Sequence, residues 1–323
     1  MNSSRRNTVN TVIGTILASI WQIALTVFIA VSVSFFALAL VPGDPVDIRL
    51  GPLAKIPAAQ REQIRIELGL NEPLWQQYLT HLKNLLTGNL GYSYNQHLEV
   101  STIIARQAGH TLQLATVALC LAVTLVLLGQ ALLRYKKPWG QPAGLRDKIF
   151  NLVNVILTAT PNYWLGFLLL MLFSVWLKWL PSGGVGSWQA IILPAVTLAL
   201  PVAGVLGQLV NTELNAVENT QFALSSRARG VSRARFAWSH GTLHAVPSVG
   251  AVTVNIIGSV LGGAILVETV FARPGLGRVA LDAVLARDMP VVLGLVALSA
   301  LVFAVLSQLL GTLITLTTKR RGH

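Results

Sequence analysis

Six stretches of the chain contain no Asp, Glu, Lys, Arg or His: Thr11–Val41, Thr111–Leu133, Ile149–Leu177, Trp179–Thr212, Val246–Val267 and Met289–Thr318. Each exceeds the ~20 residues that a helix needs to cross the hydrocarbon core of a bilayer. A charge at mid-bilayer costs roughly 2.5–3.5 kcal/mol on insertion scales, which explains why none interrupts such lengths. The pattern predicts an all-α polytopic membrane protein with six transmembrane helices. The first stretch follows Arg5 and Arg6, as the core of a secretory signal would. Its apolar part is about twice the 7–15 residues of a signal core, so it reads as a retained helix.

The stretches divide the chain into an N-terminus with a first helix (1–41), an outer segment (42–110), a five-helix core (111–318) holding a polar loop (213–247), and a tail (319–323). In the outer segment, Pro57–Leu68 has the pattern of a short helix stopped by Gly69, since glycine tolerates the left-handed turn after a helix. Pro73–Leu86 predicts a second, with Leu74, Tyr78, Leu82 and Leu85 on one face. The two form either a cap on the outer mouth or a packed loop. Pro161, Pro194, Pro201 and Pro247 fall in or beside the apolar runs and predict kinks. Gly258 and Gly262 have the spacing that permits close helix approach.

Composition supports the same class. Apolar residues make up 53% of the 323 and charged residues 11%, against about 25% charged in soluble domains. Lys plus Arg number 24 and Asp plus Glu 12, giving +12. That excess suits either nucleic acid or the cytoplasmic face of a membrane protein. Its distribution decides. With the N-terminus inside, 14 of the 24 basic residues fall in the cytoplasmic segments: Arg5 and Arg6; Arg134 to Lys148; Arg227, Arg229, Arg233 and Arg235; and Lys319 to Arg321. Both termini are therefore expected in the cytoplasm, with membrane lipid and not nucleic acid as the surrounding partner. Cys120 sits in an apolar run and reads as a small buried residue.

Catalytic patterns are absent. The chain has no Gly-Lys dipeptide, hence no phosphate-cradling loop, and no His-Glu-x-x-His. The apolar runs hold no carboxylates, which disfavours an intramembrane protease or a proton relay. His240 and His244 stand four apart but lack a visible third ligand, so no metal site is expected. The segment Gln221–Phe236 reads as a short helix, a break at Gly230, and a second helix beginning near Ser232. Four arginines interleave there with Phe222, Ala223, Leu224, Val231 and Phe236. Such a basic amphipathic element is either a membrane-surface helix or a knob for a soluble partner.

Four stretches resemble the permeases of the dipeptide/oligopeptide ABC importers. They are Val41-Pro-Gly43-Asp44-Pro45; Leu68-Gly-Leu-Asn-Glu-Pro-Leu74 with Gln77-Tyr78 and Gly88-Asn-Leu-Gly-Tyr-Ser93; Ala228-Arg-Gly-Val-Ser232 with His240; and Glu268-Thr-Val-Phe-Ala-Arg-Pro274-Gly275-Leu-Gly277 with Ala283 and Arg287-Asp288-Met-Pro290. They run in the family's order over roughly Val31 to Leu316. Leu224, Ser226, His244 and Ser248 depart from residues usual in its loop.

The resemblance implies a type I ABC importer-like permease with no catalytic residues. It forms half of a pathway for peptides or a related small solute, nickel or metal-chelate complexes included. It implies two ATP-binding subunits carrying ATP and Mg, with no cofactor on this chain, a second homologous permease, and a periplasmic or lipid-anchored substrate-binding protein. Residues Phe222, Ala223, Arg227, Ala228, Arg229, Gly230 and Val231 would couple to the ATPase. The apolar contact would come from Phe222, Ala223 and Val231, and Arg227 and Arg229 would meet acidic groups at the rim. The other expectation, a stand-alone ion-coupled transporter or channel, requires ionisable residues within the spans.

Overall fold

A computed structural model describes residues 2–43, 46, 57–135, 138–139, 141 and 144–319 of the chain; the side chains of 2–13, 15, 240, 242–247, 254 and 313–319 lie outside that description. Among the described residues there is no strand, only one isolated bridge between Tyr92 and Glu99. The helices are α1 (Asn2–Leu40), α2 (Ala58–Glu67), α3 (Leu74–Leu86), α4 (Val100–Arg134), α5 (Leu145–Ala159), α6 (Asn162–Leu169), α7 (Ile192–Glu218), α8 (Gln221–Ala228), α9 (Arg233–Phe236), α10 (Thr242–Val270), α11 (Leu276–Leu285) and α12 (Met289–Lys319). Among the described residues, five are long and apolar enough to cross a membrane. α5 and α6, with its π-helical extension to Trp176, pass the same test only together, as a pair bent by 104° that is either a broken span or a re-entrant loop.

The bend lies at Thr160 and Pro161, both extended (ψ 122° and 136°). A residue before proline is pushed out of the helical region, and proline has no N–H to continue the ladder. The third apolar run is thus broken into two helices, more sharply than by a proline kink. By contrast, Pro194 sits in the first turn of α7, where no helical hydrogen bond is lost, and Pro201 lies inside that helix. α4 begins at Val100, ten residues before the sequence boundary at 110. The two short helices fall where expected, and Gly69 holds the left-handed φ of +69° after α2.

The chain divides into two compact units, residues 1–109 with 278–308 and residues 110–277 with 309–323. In the first, Val31 and Phe35 of α1 are buried with Met289, Leu293 and Ala297 of α12, and Tyr78 and Leu85 of α3 pack against them. The Ser32 and Tyr78 hydroxyls meet at 2.7 Å. In the second, α7 is the buried helix. Its Leu193, Leu198 and Leu206 pack with Leu114, Ala118, Ala122 and Val126 of α4 and with Ile256, Val260 and Val267 of α10. Lipid is as apolar as these side chains, so close packing and interhelical hydrogen bonds, rather than water exclusion, hold such a core. Gly204 and Gly207 let α5 approach: a Cβ at either would lie within 3 Å of Asn154 atoms. A Cβ on Gly262 would meet nothing within 4 Å among the described residues, whereas α10 meets Asn162 and Leu198 closely at Gly263.

Candidate functional site

The loop after α7 folds as a closed knob. Thr220 caps α8, its side chain accepting from the Ala223 N–H, and Ser232 caps α9 by accepting from the Arg235 N–H. Between them Gly230 takes φ +76°. Its N–H donates to the Arg227 carbonyl at 2.9 Å, and the Val231 N–H donates to that of Ser226 at 3.1 Å. These are the two bonds of a Schellman turn, which requires a left-handed residue at this position. The predicted helix–glycine–helix element is thus present.

Its inner face is Ala223 and Phe236, buried with Val217 and covered by Trp139 and Val231. The Trp139 indole N–H donates to the Val231 carbonyl at 3.0 Å, and its ring meets Phe236 edge-on. The outer face carries Phe222 (45% exposed) and Leu224 (55%), with Arg227, Ala228, Arg229 and Gly230 exposed beside them. This corrects the expected apolar contact set: Ala223 is 1% exposed and faces the chain's own core, and Val231 is half-buried. Leu224 belongs on the outer face in their place. The reason is helical spacing, which buries Ala223 and Ser226 and leaves Leu224 on the open side, while the partly exposed Phe222 ring packs on that of Phe236 at 5.8 Å.

The base of the knob is a buried ion cluster. Glu218, at the end of α7, accepts from the Arg233 Nε at 2.8 Å and from the Arg134 Nε at 3.3 Å. Arg134 also donates to Gln130, Asn211 and Asn215. Arg134 is 3% exposed and Glu218 10%. Charges so buried persist only when paired. In the sequence Arg134 and Arg233 read as charges marking a membrane face, and Glu218 does not stand out. A usable signal was present, since Asn211, Asn215 and Glu218 recur at helical spacing at the end of an apolar run.

The signature residues form two further clusters. In the second unit Glu268, fully buried, accepts from the Thr111 hydroxyl at 2.6 Å and from the Gly277 N–H at 2.8 Å. The Leu276 N–H donates to the Thr111 oxygen at 2.8 Å. A Cβ on Gly275 would lie 2.2 Å from the Glu268 carboxylate, so only glycine fits. Pro274 is half-buried in the same turn. Arg273 donates to Gln113 at 2.9 Å. Burial lowers the pKa of its guanidinium, against the opposing pull of Glu268.

In the first unit Arg287 donates to the carbonyls of Val41, Pro42 and Gly43, just past the end of α1. Cations are favoured there by the helix dipole. Asp288 accepts from the Ser93 hydroxyl at 2.5 Å and from the Tyr94 and Asn95 N–H groups at 3.1 and 3.2 Å. Burial and then Asp288 push the Tyr94 phenol up to about 12. Burial alone lowers the His81 imidazole. Three signature stretches distant in sequence, at 41–43, 91–95 and 287–290, are therefore joined. Asp44 and Pro45 lie outside the described residues, as do the His240 and His244 side chains. Glu268 and Asp288 are each surrounded by donors, an arrangement that holds loops in place and presents no free base.

Residues 139–323 match the family model described as binding-protein-dependent transport system inner membrane component, and residues 13–115 match that of its N-terminal part. The chain is 31% identical over 317 residues to a protein of Brucella suis biovar 1 (strain 1330) named as a peptide transport system permease, covering 94% of this chain and 98% of that one. It is 32% identical over 289 residues to the glutathione transport system permease protein GsiC of Escherichia coli (strain K12), covering 89% of this chain and 92% of that one.

Proposed function

Since the chain belongs to the binding-protein-dependent transport system inner membrane components, and is the multi-pass permease subunit of an ABC importer, we propose that its 221–236 knob couples ATP hydrolysis on a separate subunit to solute movement. The single observation that carries this reading is the knob's construction. Leu224, part of the Phe222 ring and two arginines are exposed at a turn whose base is fixed by buried charges. A lipid-surface helix needs no such rigid base, whereas a lever does.

The rest of the machine follows from this reading. The distribution of basic residues puts the knob and both termini in the cytoplasm. With no phosphate-binding loop of its own, the chain relies on two ATP-binding subunits, where ATP and Mg are held. A second permease completes the pathway, and a substrate-binding protein delivers cargo on the opposite side. The relatives' names favour peptides as that cargo.

The test is Gly230→Val. Nothing lies within 4 Å of a Cβ there, so the substitution acts through backbone strain of roughly 1–2 kcal/mol and through the side chain it adds to the outer surface. ATPase subunits should be lost from a pull-down and uptake should fall, with membrane insertion retained. Normal assembly together with normal uptake would refute the docking role.

A further inference from the structure

Where a span faces lipid, its exposed positions are large and apolar. α1 exposes Ile16, Leu17, Ile20 and Trp21, and α6 exposes Trp164 and Phe167. Single polar side chains elsewhere bond within the chain: Thr116 and Thr124 of α4 donate to carbonyls of their own helix, and Gln22 of α1 accepts from Gln308. One seam gathers several polar positions together. On α5, Asn151, Asn154 and Thr158 recur at spacings of three and four and so share a face. That face meets α7, where the Gln208 amide donates to the Thr158 hydroxyl at 3.3 Å and the Asn211 amide donates to Asn151 at 3.3 Å. Asn151, Thr158 and Thr212 remain exposed at its edge. α10, which also packs on α7, exposes Asn255, Ser259 and Gly262 on one side, while its Ile256, Val260 and Val267 are buried in the core.

Polar pairs between spans serve as glue when they satisfy one another. These do not. The Asn154 amide nitrogen is buried with no acceptor among the described residues. The Asn255 side chain, exposed within the span Ser248–Val270, makes no side-chain hydrogen bond among the described residues. An amide left without a partner in hydrocarbon costs several kcal/mol. Water or a polar solute supplies the missing partners at much lower cost.

We propose that the α5–α7 seam, with Gln208 at its centre, and the Asn255–Ser259 strip of α10 are this chain's contribution to the wall of the solute pathway. The wall consists of amides and hydroxyls without fixed charge. It offers both donors and acceptors, which suits solutes rich in peptide-like amide groups and does not select on net charge. The proposal rests on the permease reading and names the lining that the reading leaves open.

The experiment uses the assembled transporter in a Cys120→Ala background. Gln208→Cys, Asn255→Cys and, as a lipid-facing control, Phe167→Cys are treated with a charged, water-soluble methanethiosulfonate. Water should admit the reagent to the first two at least an order of magnitude faster than to the control, because thiols in lipid do not ionise or meet it. Reaction at Gln208→Cys should also block uptake. Uptake by the untreated proteins tests the permease reading separately. If uptake persists while both positions stay as unreactive as Phe167→Cys, the lining is wrong. Efficient cross-linking of Asn255→Cys to the second permease would equally overturn the assignment of α10, making that strip a subunit interface.

Discussion

Glu218 accepts a 2.8 Å hydrogen bond from Arg233, fifteen residues later in the chain. The bond ties the last residue of α7 to the first residue of α9, across the whole knob. With Arg134 on the other side of the carboxylate, motion of the knob and motion of α4 and α7 cannot be independent. Glu218→Gln keeps the shape and removes the charge, leaving two buried guanidinium groups uncompensated. Breaking a buried pair costs roughly 3–5 kcal/mol. The expected result is a lower uptake-to-ATPase ratio and a lower melting temperature of the purified complex. An unchanged ratio would show that the cluster is structural only.

The two faces of the knob should respond differently. Leu224→Asp alters only exposed surface, so the chain should fold normally and bind the ATPase subunits more weakly. Ala223→Asp forces a carboxylate against Phe236 and Val217, which costs several kcal/mol unless it is paired, so the chain should misfold or be degraded. Expression levels with co-purification of the ATPase separate the outcomes. Weak binding by Ala223→Asp at full expression would contradict the assignment of faces.

Glycine substitutions test the signature loop. A methyl group at Gly275 has no room beside Glu268, whereas one at Gly262 meets nothing within 4 Å. Gly275→Ala should lose stability by about 1–3 kcal/mol, the usual cost of overpacking, and Gly262→Ala should leave thermal stability unchanged. Equal melting curves for the two variants would show that the 268–277 loop adjusts freely.

Mild acid should loosen the packing of α3 on α1. His81, whose ring lies 5.9 Å from that of Phe35, is held below its ordinary pKa of 6.5 by burial. Above that pH it is neutral in both folded and unfolded chains. As pH falls below it, the unfolded chain takes up the proton first, so stability declines through the depressed folded value. Hydrogen exchange in α3 should quicken between neutral and mildly acidic pH, and His81→Phe should remove the dependence. A pH response retained in His81→Phe would assign it to another group.

Local chemistry determined much of this protein. Runs without charge mark the spans, because lipid penalises charge wherever a helix is placed. The ends of α2 and α3 and the turn at Gly230 follow from proline, cap and glycine preferences that act over a few residues. Tertiary structure decided what depends on which helices are neighbours. Arg134 and Glu218, 84 residues apart, read from the sequence as two unrelated span ends; only the packing of α4 beside α7 makes them a pair. Asp288 meets Ser93 across 195 residues for the same kind of reason. The inward turn of Ala223 required Phe236 to be placed beneath it, and the 104° bend required the direction of α6 after Pro161. Burial and long-range pairing are properties of the assembled bundle, and no window of sequence contains both partners.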